Sequence, residues 1–281
     1  MTEWAEVADG VFQRRYDPLD ISICVVRGSR GLLVVDTRSS PQQADEVREH
    51  LRELGPHPVV AVVNTHAHFD HTFGNQSFGG VPIYGHRRVP AHLQAYEAPM
   101  LADWLARGEE PVEEWAAVEI TAPTALVDRE LRLLVGDRTV DLLHLGRGHT
   151  DNDLVLHVPD AAAWIVGDLV EESGPPMYGS GCFPLEWPGT CAALADRLGA
   201  SDVVVPGHGR AVTRAFVETQ QAQLAEVAQL ITELHATGVP VEQAREAGAG
   251  RWALPAEGLD PAISAAYRAL EPPAARDRRT P

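Results

Sequence analysis

The chain is 281 residues long, 44% hydrophobic and 22% charged, which supplies a sizeable core and argues against general disorder. Forty acidic residues against 23 basic ones leave a net charge of −17, a surface that repels phosphate backbones and makes nucleic acid a poor partner. Cys24, Cys182 and Cys191 are too scattered for a disulfide framework or a Cys-based zinc site and are expected to be reduced and packed. No apolar signal region opens the chain and no apolar run reaches membrane-spanning length, so a soluble cytoplasmic protein with no membrane partner is expected.

In chain order, the apolar runs 21–26 and 32–35 flank a Gly-containing turn and predict a hairpin ending at Asp36. Ser40 and Pro41 open a helix through Leu54, with Ala44, Val47, Leu51 and Leu54 on its apolar face, and Gly55-Pro56 stops it. A buried strand follows at 58–63, then a polar loop, a short helix near 71–78 and a strand at 82–84. Residues 86–120 read as helical, with Tyr96, Met100, Trp104 and Trp115 expected as core packing. Strands are expected at 131–135, 139–145, 153–158, 163–166 and 202–205, a Gly- and Pro-rich loop at 168–188, and helices at 189–198 and 211–237. The remainder reads as Ala-rich helix with a frayed tail from Ala274, and Arg14 and Arg15 are expected in solvent. Alternating strands and helices in both halves give an α/β layered fold. It divides into a catalytic domain over 1–210 and a C-terminal helical extension over 211–281 packed on the same domain.

The chemistry concentrates in His66-Ala67-His68-Phe69-Asp70-His71, directly after the 58–63 strand. In extended chain His66 and His68 project the same way. Asp70 and His71 need the chain to turn and then face a second point close by, which suggests two metal ions. Three more candidates, His149, Asp168 and His208, each follow an apolar strand and sit beside glycine, which brings them to one edge of the sheet system. His50, His57, His92 and His235 stand alone and read as ordinary surface or core residues. His86, Tyr178, Cys182 and Trp187 lie in or near loops of the same edge and are candidates for the pocket wall.

The ordered set His66/His68/Asp70/His71, His149, Asp168, His208, in the motifs HAHFDH, GHT, GD and PGHG, resembles the metallo-β-lactamase superfamily from about residue 10 to 210. That resemblance implies a four-layer αββα sandwich with a binuclear site between two sheets. His66, His68 and His149 would bind the first metal, Asp70, His71 and His208 the second, and Asp168 would bridge both, with Asp36 bracing the ligand loop from behind. Imidazole with carboxylate suits two divalent ions, zinc above all, with iron or manganese also compatible. Two ions about 3.5–4 Å apart can hold a hydroxide at neutral pH for attack on a carbonyl, with Asp70 handling its proton.

The implied enzyme is a metal-dependent hydrolase of a small-molecule ester, thioester, lactone or amide, a β-lactam among them. Asp168 stands where one β-lactamase subclass has Cys, which leans towards the thioesterase and lactonase branches. The alternative is an oxidoreductase of the persulfide dioxygenase type, with one iron on two His and one Asp, which would leave His71 and His208 idle. The helices after 211 are expected either to cap the site or to form the face of a homodimer.

Overall fold

A computed structural model describes residues 3–271. Its strands are β1 (Ala5–Ala8), β2 (Val11–Tyr16), β3 (Ile21–Gly28), β4 (Gly31–Val35), β5 (Val59–Val63), β6 (Ile83–His86), β7 (Ala125–Val127), β8 (Glu130–Val135), β9 (Arg138–Leu143), β10 (Val155–Val158), β11 (Ala163–Glu171) and β12 (Val203–His208). Its helices are α1 (Pro41–His50), α2 (Phe69–Thr72), α3 (Val89–His92), α4 (Ala98–Arg107), α5 (Val112–Ala116), α6 (Trp187–Ala195), α7 (Arg214–Ala236), α8 (Val241–Ala247) and α9 (Asp260–Leu270).

The strands hydrogen-bond along one path that folds back on itself. On one side β2, β3 and β4 run antiparallel and β4, β5, β6 and β7 parallel; on the other β8 to β11 run antiparallel and β11 pairs parallel with β12. The two halves join through the pair Ile21 and His208 of β3 and β12. Alternation of side chains makes them face each other. Cys24, Val26, Leu33, Val35 and Val63 from the first half share a core with Leu142, Leu154, Leu156, Ile165 and Val205 from the second. The intervening residues point outward: Ile23, Val25, Leu32 and Val34 pack under Ala44 and Val47 of α1, and Trp164, Val166 and Val204 pack under α6, α7 and α9. The order of layers is therefore helix, sheet, sheet, helix, as expected.

Most local expectations hold. Ser40 caps α1 with Oγ accepting from Gln43 N, and Pro41 opens the helix, whose last turn tightens to 3₁₀ geometry at Leu51–Leu54. The three cysteines are buried and unpaired. Trp115 is buried with Leu101 and Phe73, and Trp104 packs beside them. Tyr96, in contrast, is exposed and lies against His92. Strands β1, β2 and β7 were not expected. In β2 the run Gln13-Arg14-Arg15 breaks the apolar alternation, yet Gln13 Nε2 donates to Ser22 Oγ at 2.7 Å and to Gly209 O at 2.8 Å. The solvated reading of Arg14 is wrong: it is buried, with Nη1 2.9 Å from Glu53. The expected loop 168–188 is shorter, because β11 continues to Glu171 and α6 begins at Trp187. The tail from Ala274 lies outside the described residues. Among those residues no helix is long and apolar enough to cross a membrane.

Candidate metal centre

Asp36 ends β4 with φ +65, a left-handed conformation that Asp tolerates better than most side chains. There its Oδ1 accepts from Thr65 N and its Oδ2 from Thr65 Oγ1, both at 2.8 Å, which fixes the exit of β5. His71 Nδ1 also lies 2.8 Å from Asp36 Oδ2. A proton on Nδ1 leaves Nε2 of His71 with a free lone pair on the far side of the ring. The turn that Asp70 and His71 need is α2, whose two middle residues they are, with Asn64 Nδ2 and Thr37 Oγ1 both donating to His71 O.

The other three candidates arrive on separate loops. His149 follows Gly148, where Thr150 N and Oγ1 donate to the Asp153 carboxylate and close the turn; the His149 ring packs on Trp187 at 5.3 Å. Asp168 lies within β11, and a Cβ on Gly207 of the adjacent strand would collide with its carboxylate, so glycine is required there. His208 Nδ1 donates to Leu19 O at 2.8 Å, which turns its Nε2 towards the carboxylates.

All seven side chains converge in two buried groups: His66, His68, His149 and Asp168, and then Asp70, His71 and His208. In the first, His68 Nδ1 lies 2.8 Å from His149 Nε2 and 3.1 Å from His66 Nε2. Asp168 Oδ2 is 3.5 Å from His149 Nε2 and 3.8 Å from His66 Nε2. In the second, His208 Nε2 is 3.2 Å from Asp70 Oδ2, and His71 Nε2 is 3.6 Å from the same oxygen. Asp168 reaches this group too, with Oδ1 3.2 Å from His71 Nε2 and Oδ2 3.4 Å from His208 Nε2. One carboxylate thus faces both groups.

Charge divides the groups in the same way. Burial holds His66, His68 and His149 below the ordinary histidine range, His149 at about 3, so these imidazoles are neutral with lone pairs to offer. Burial opposes charge on His71 and His208 as well, but Asp168 and Asp70 outweigh it, lifting His71 well above its ordinary value and His208 up to about 12. Burial would raise the two carboxyls, yet His71 and His208 hold both below their usual range. His71 Nε2 and Asp168 Oδ1 are buried with no hydrogen-bond partner. Convergent neutral imidazoles, two ionised carboxylates and orphaned atoms facing one another are what a pair of divalent cations would satisfy.

Of the expected wall residues, Trp187 backs His149 and Tyr178 meets Trp187 edge to face at 5.1 Å. Cys182 lines a cleft of about 620 Å³ between the loop after β11 and α9. His86 lies elsewhere, stacked on His144 at 4.3 Å. Another cleft, of about 930 Å³, lies against α1 and β5 and holds none of the seven residues. Two residues that sequence reasoning passed over stand beside His68: His92, read as an ordinary histidine, and Glu97, both buried. They are five apart on a helical segment, a spacing that no helical or strand period singles out.

A family profile described as the metallo-beta-lactamase superfamily matches residues 16–208. The chain is 28% identical to human acyl-coenzyme A thioesterase MBLAC2 over 237 residues, covering 73% of this chain and 81% of that one. It is 26% identical to the metallo-beta-lactamase type 2 of Bacillus cereus over 196 residues, covering 69% and 68% respectively. Among solved structures, the metallo-beta-lactamase from Pontibacter korlensis superposes with a TM-score of 0.64 at 18% identity, over 79% of this chain and 98% of that one. The sec-alkylsulfatase Pisa1 from Pseudomonas sp. does so with 0.74 at 18% identity, over 99% of this chain and 52% of that one. The structural likenesses carry the fold, and the profile match over most of its length carries the kinship: the chain belongs to the metallo-beta-lactamase superfamily, as one of its metal-dependent hydrolases.

Proposed function

We propose that the chain is a binuclear hydrolase of acyl thioesters, with related small esters, lactones or amides as slower substrates. His66, His68 and His149 would hold one divalent ion, Asp70, His71 and His208 the other, and Asp168 both, zinc being the first choice for this donor set. The observation that carries the two-ion reading is the position of Asp168, whose Oδ2 lies 3.5 Å from His149 in one group and 3.4 Å from His208 in the other, while its Oδ1 and His71 Nε2 are buried without a hydrogen-bond partner. A single iron on two His and one Asp would leave His71 and His208 without a task. The thioester reading is supported by the likeness to human MBLAC2, which spans 81% of that protein.

Bound divalent ions would supply Lewis acidity towards the substrate carbonyl and lower the pKa of a water between them. The chain's own residues do the rest. Asp70, whose Oδ2 lies 3.2 Å from His208 Nε2 in the second group, accepts the proton of the attacking water. Asp36 and Leu19 O fix the rings of His71 and His208 through their Nδ1 atoms, so neither ligand turns during turnover. Deep burial of the seven side chains keeps bulk water from the reacting carbonyl.

Metal content of the purified protein, followed by rates on an acyl thioester, a lactone, a β-lactam and an alkyl sulfate side by side, tests the proposal. Two metal equivalents with the thioester cleaved fastest are expected. One equivalent, or oxygen consumption with a persulfide, would sink it.

A further inference from the structure

His68 faces two ways. Its Nδ1 joins the first group of ligands, while its Nε2 lies 3.0 Å from Ser180 O in the loop after β11. Nε2 therefore carries the proton and donates it to that carbonyl, which is what leaves Nδ1 free as a ligand. Ser180 is held in turn: its Oγ donates to Glu97 Oε1 at 3.1 Å. The other oxygen of the same carboxylate, Oε2, accepts from Phe69 N at 3.1 Å, in the residue directly after His68. Glu97 thus grips the main chain beside His68 on one side and the acceptor of its ring proton on the other.

The local backbone explains how Glu97 gets there. Residues Leu93–Glu97 form a π-turn, closed by i→i+5 bonds, between α3 and α4. Residues five apart on a regular α-helix point roughly 140° from each other. The wider turn brings them onto one face, so His92 Nε2 lies 3.4 Å from Glu97 Oε1. Asn152 Nδ2, from the His149 loop, donates to His92 Nδ1 at 3.2 Å, which leaves the His92 proton on Nε2, facing Glu97. The loop after β11 is pressed onto both rings: a Cβ on Gly179 would sit 2.9 Å from His68 Cε1, and one on Gly181 2.8 Å from His92 Cε1.

His68, His92 and Glu97 are close enough together to suggest a third metal seat. The chemistry speaks against it. His68 has one proton to place, and Nε2 must keep it while Nδ1 serves the first group; Glu97 already accepts two hydrogen bonds.

Resting on the two-metal reading above, we propose that Glu97 is a positioning residue for the first metal site. It acts through Phe69 and Ser180 to set the ring of His68, and it couples that site's affinity to the order of the loop that walls the 620 Å³ cleft. Chelator competition with zinc on the full-length protein, wild type against Glu97→Ala, Glu97→Gln and Ser180→Ala, tests this, alongside kcat and KM on the best thioester. Glu97→Ala is expected to keep one tight equivalent and weaken the other about 10- to 100-fold, with a comparable loss in kcat and KM little changed. Glu97→Gln retains one acceptor oxygen for two donors and falls between Ala and wild type, as does Ser180→Ala, which keeps the Ser180 carbonyl. If Glu97→Ala fails to fold, Glu97→Gln decides. Wild-type affinity for both equivalents in a variant that merely melts earlier would overturn the proposal, and so would equal weakening of both. A wild-type protein that binds fewer than two equivalents would instead remove the metal assignment beneath it.

Discussion

Asp36 shows how much one side chain does here. It takes a left-handed backbone, accepts two hydrogen bonds from Thr65 and faces the Nδ1 of His71, all without solvent. Asp36→Asn isolates the hydrogen bonding, because Asn tolerates the same backbone. An amide offers one acceptor oxygen where three donors converge, so its NH₂ faces a buried donor. Metal affinity is expected to fall about 10- to 100-fold, with stability lower by about 1–3 kcal/mol. Chelator competition and denaturant unfolding read the two effects, and an unchanged affinity would show that Asp36 merely ends a strand.

Among the elements, the C-terminal helices carry a testable claim. Leu224, Val227, Leu230, Ile231 and Leu234 of α7 are buried in one core with Trp164 and Val166 of β11 and Leu194 of α6. At about 1.5–3 kcal/mol for each large apolar side chain buried, those five contribute roughly 8–15 kcal/mol. That is as large as the whole net stability of an ordinary domain. A chain ending at residue 210 is therefore expected not to fold, which circular dichroism and solubility would reveal; a soluble, metal-binding fragment would show that the extension is dispensable. The helical segment 86–120 works differently, since its π-turn delivers Glu97 to the ligand loop while Trp104 and Trp115 hold it down beside Phe69.

For the whole molecule, stability depends on buried groups that titrate differently once unfolded. His86 accepts from Arg88 N at Nδ1 and donates from Nε2 to Asp128 O, a neutral tautomer with no room for a second proton. Burial, reinforced by His144, lowers it to about 4. A depressed histidine means that the unfolded chain binds the proton first. This neutral histidine's contribution is thus fully present above the ordinary histidine value and is lost as pH falls towards about 4. His86→Asn should flatten that part of the stability–pH profile relative to wild type, measured as denaturant midpoints between pH 7 and about 4.5. Parallel profiles would show that His86 contributes nothing to it.

Composition, apolar periodicity and the HAHFDH, GHT, GD and PGHG motifs suffice for the α/β layering, most strands and helices, and seven ligand candidates, because each is a local signal. Strand β2 escaped, since its polar residues are satisfied by partners far along the chain, Gln13 by Gly209 and Arg14 by Glu53. So did Glu97 and His92, whose meeting needs a widened helical turn and three loops from distant parts of the chain. Which histidine nitrogen is left free as a ligand, which carboxylate stands between two groups and what holds the ligand loop are set by groups as far as 189 positions apart. A ligand type can be read from a residue's identity and spacing. Its tautomer and direction depend on hydrogen-bond partners that only the folded chain brings within reach.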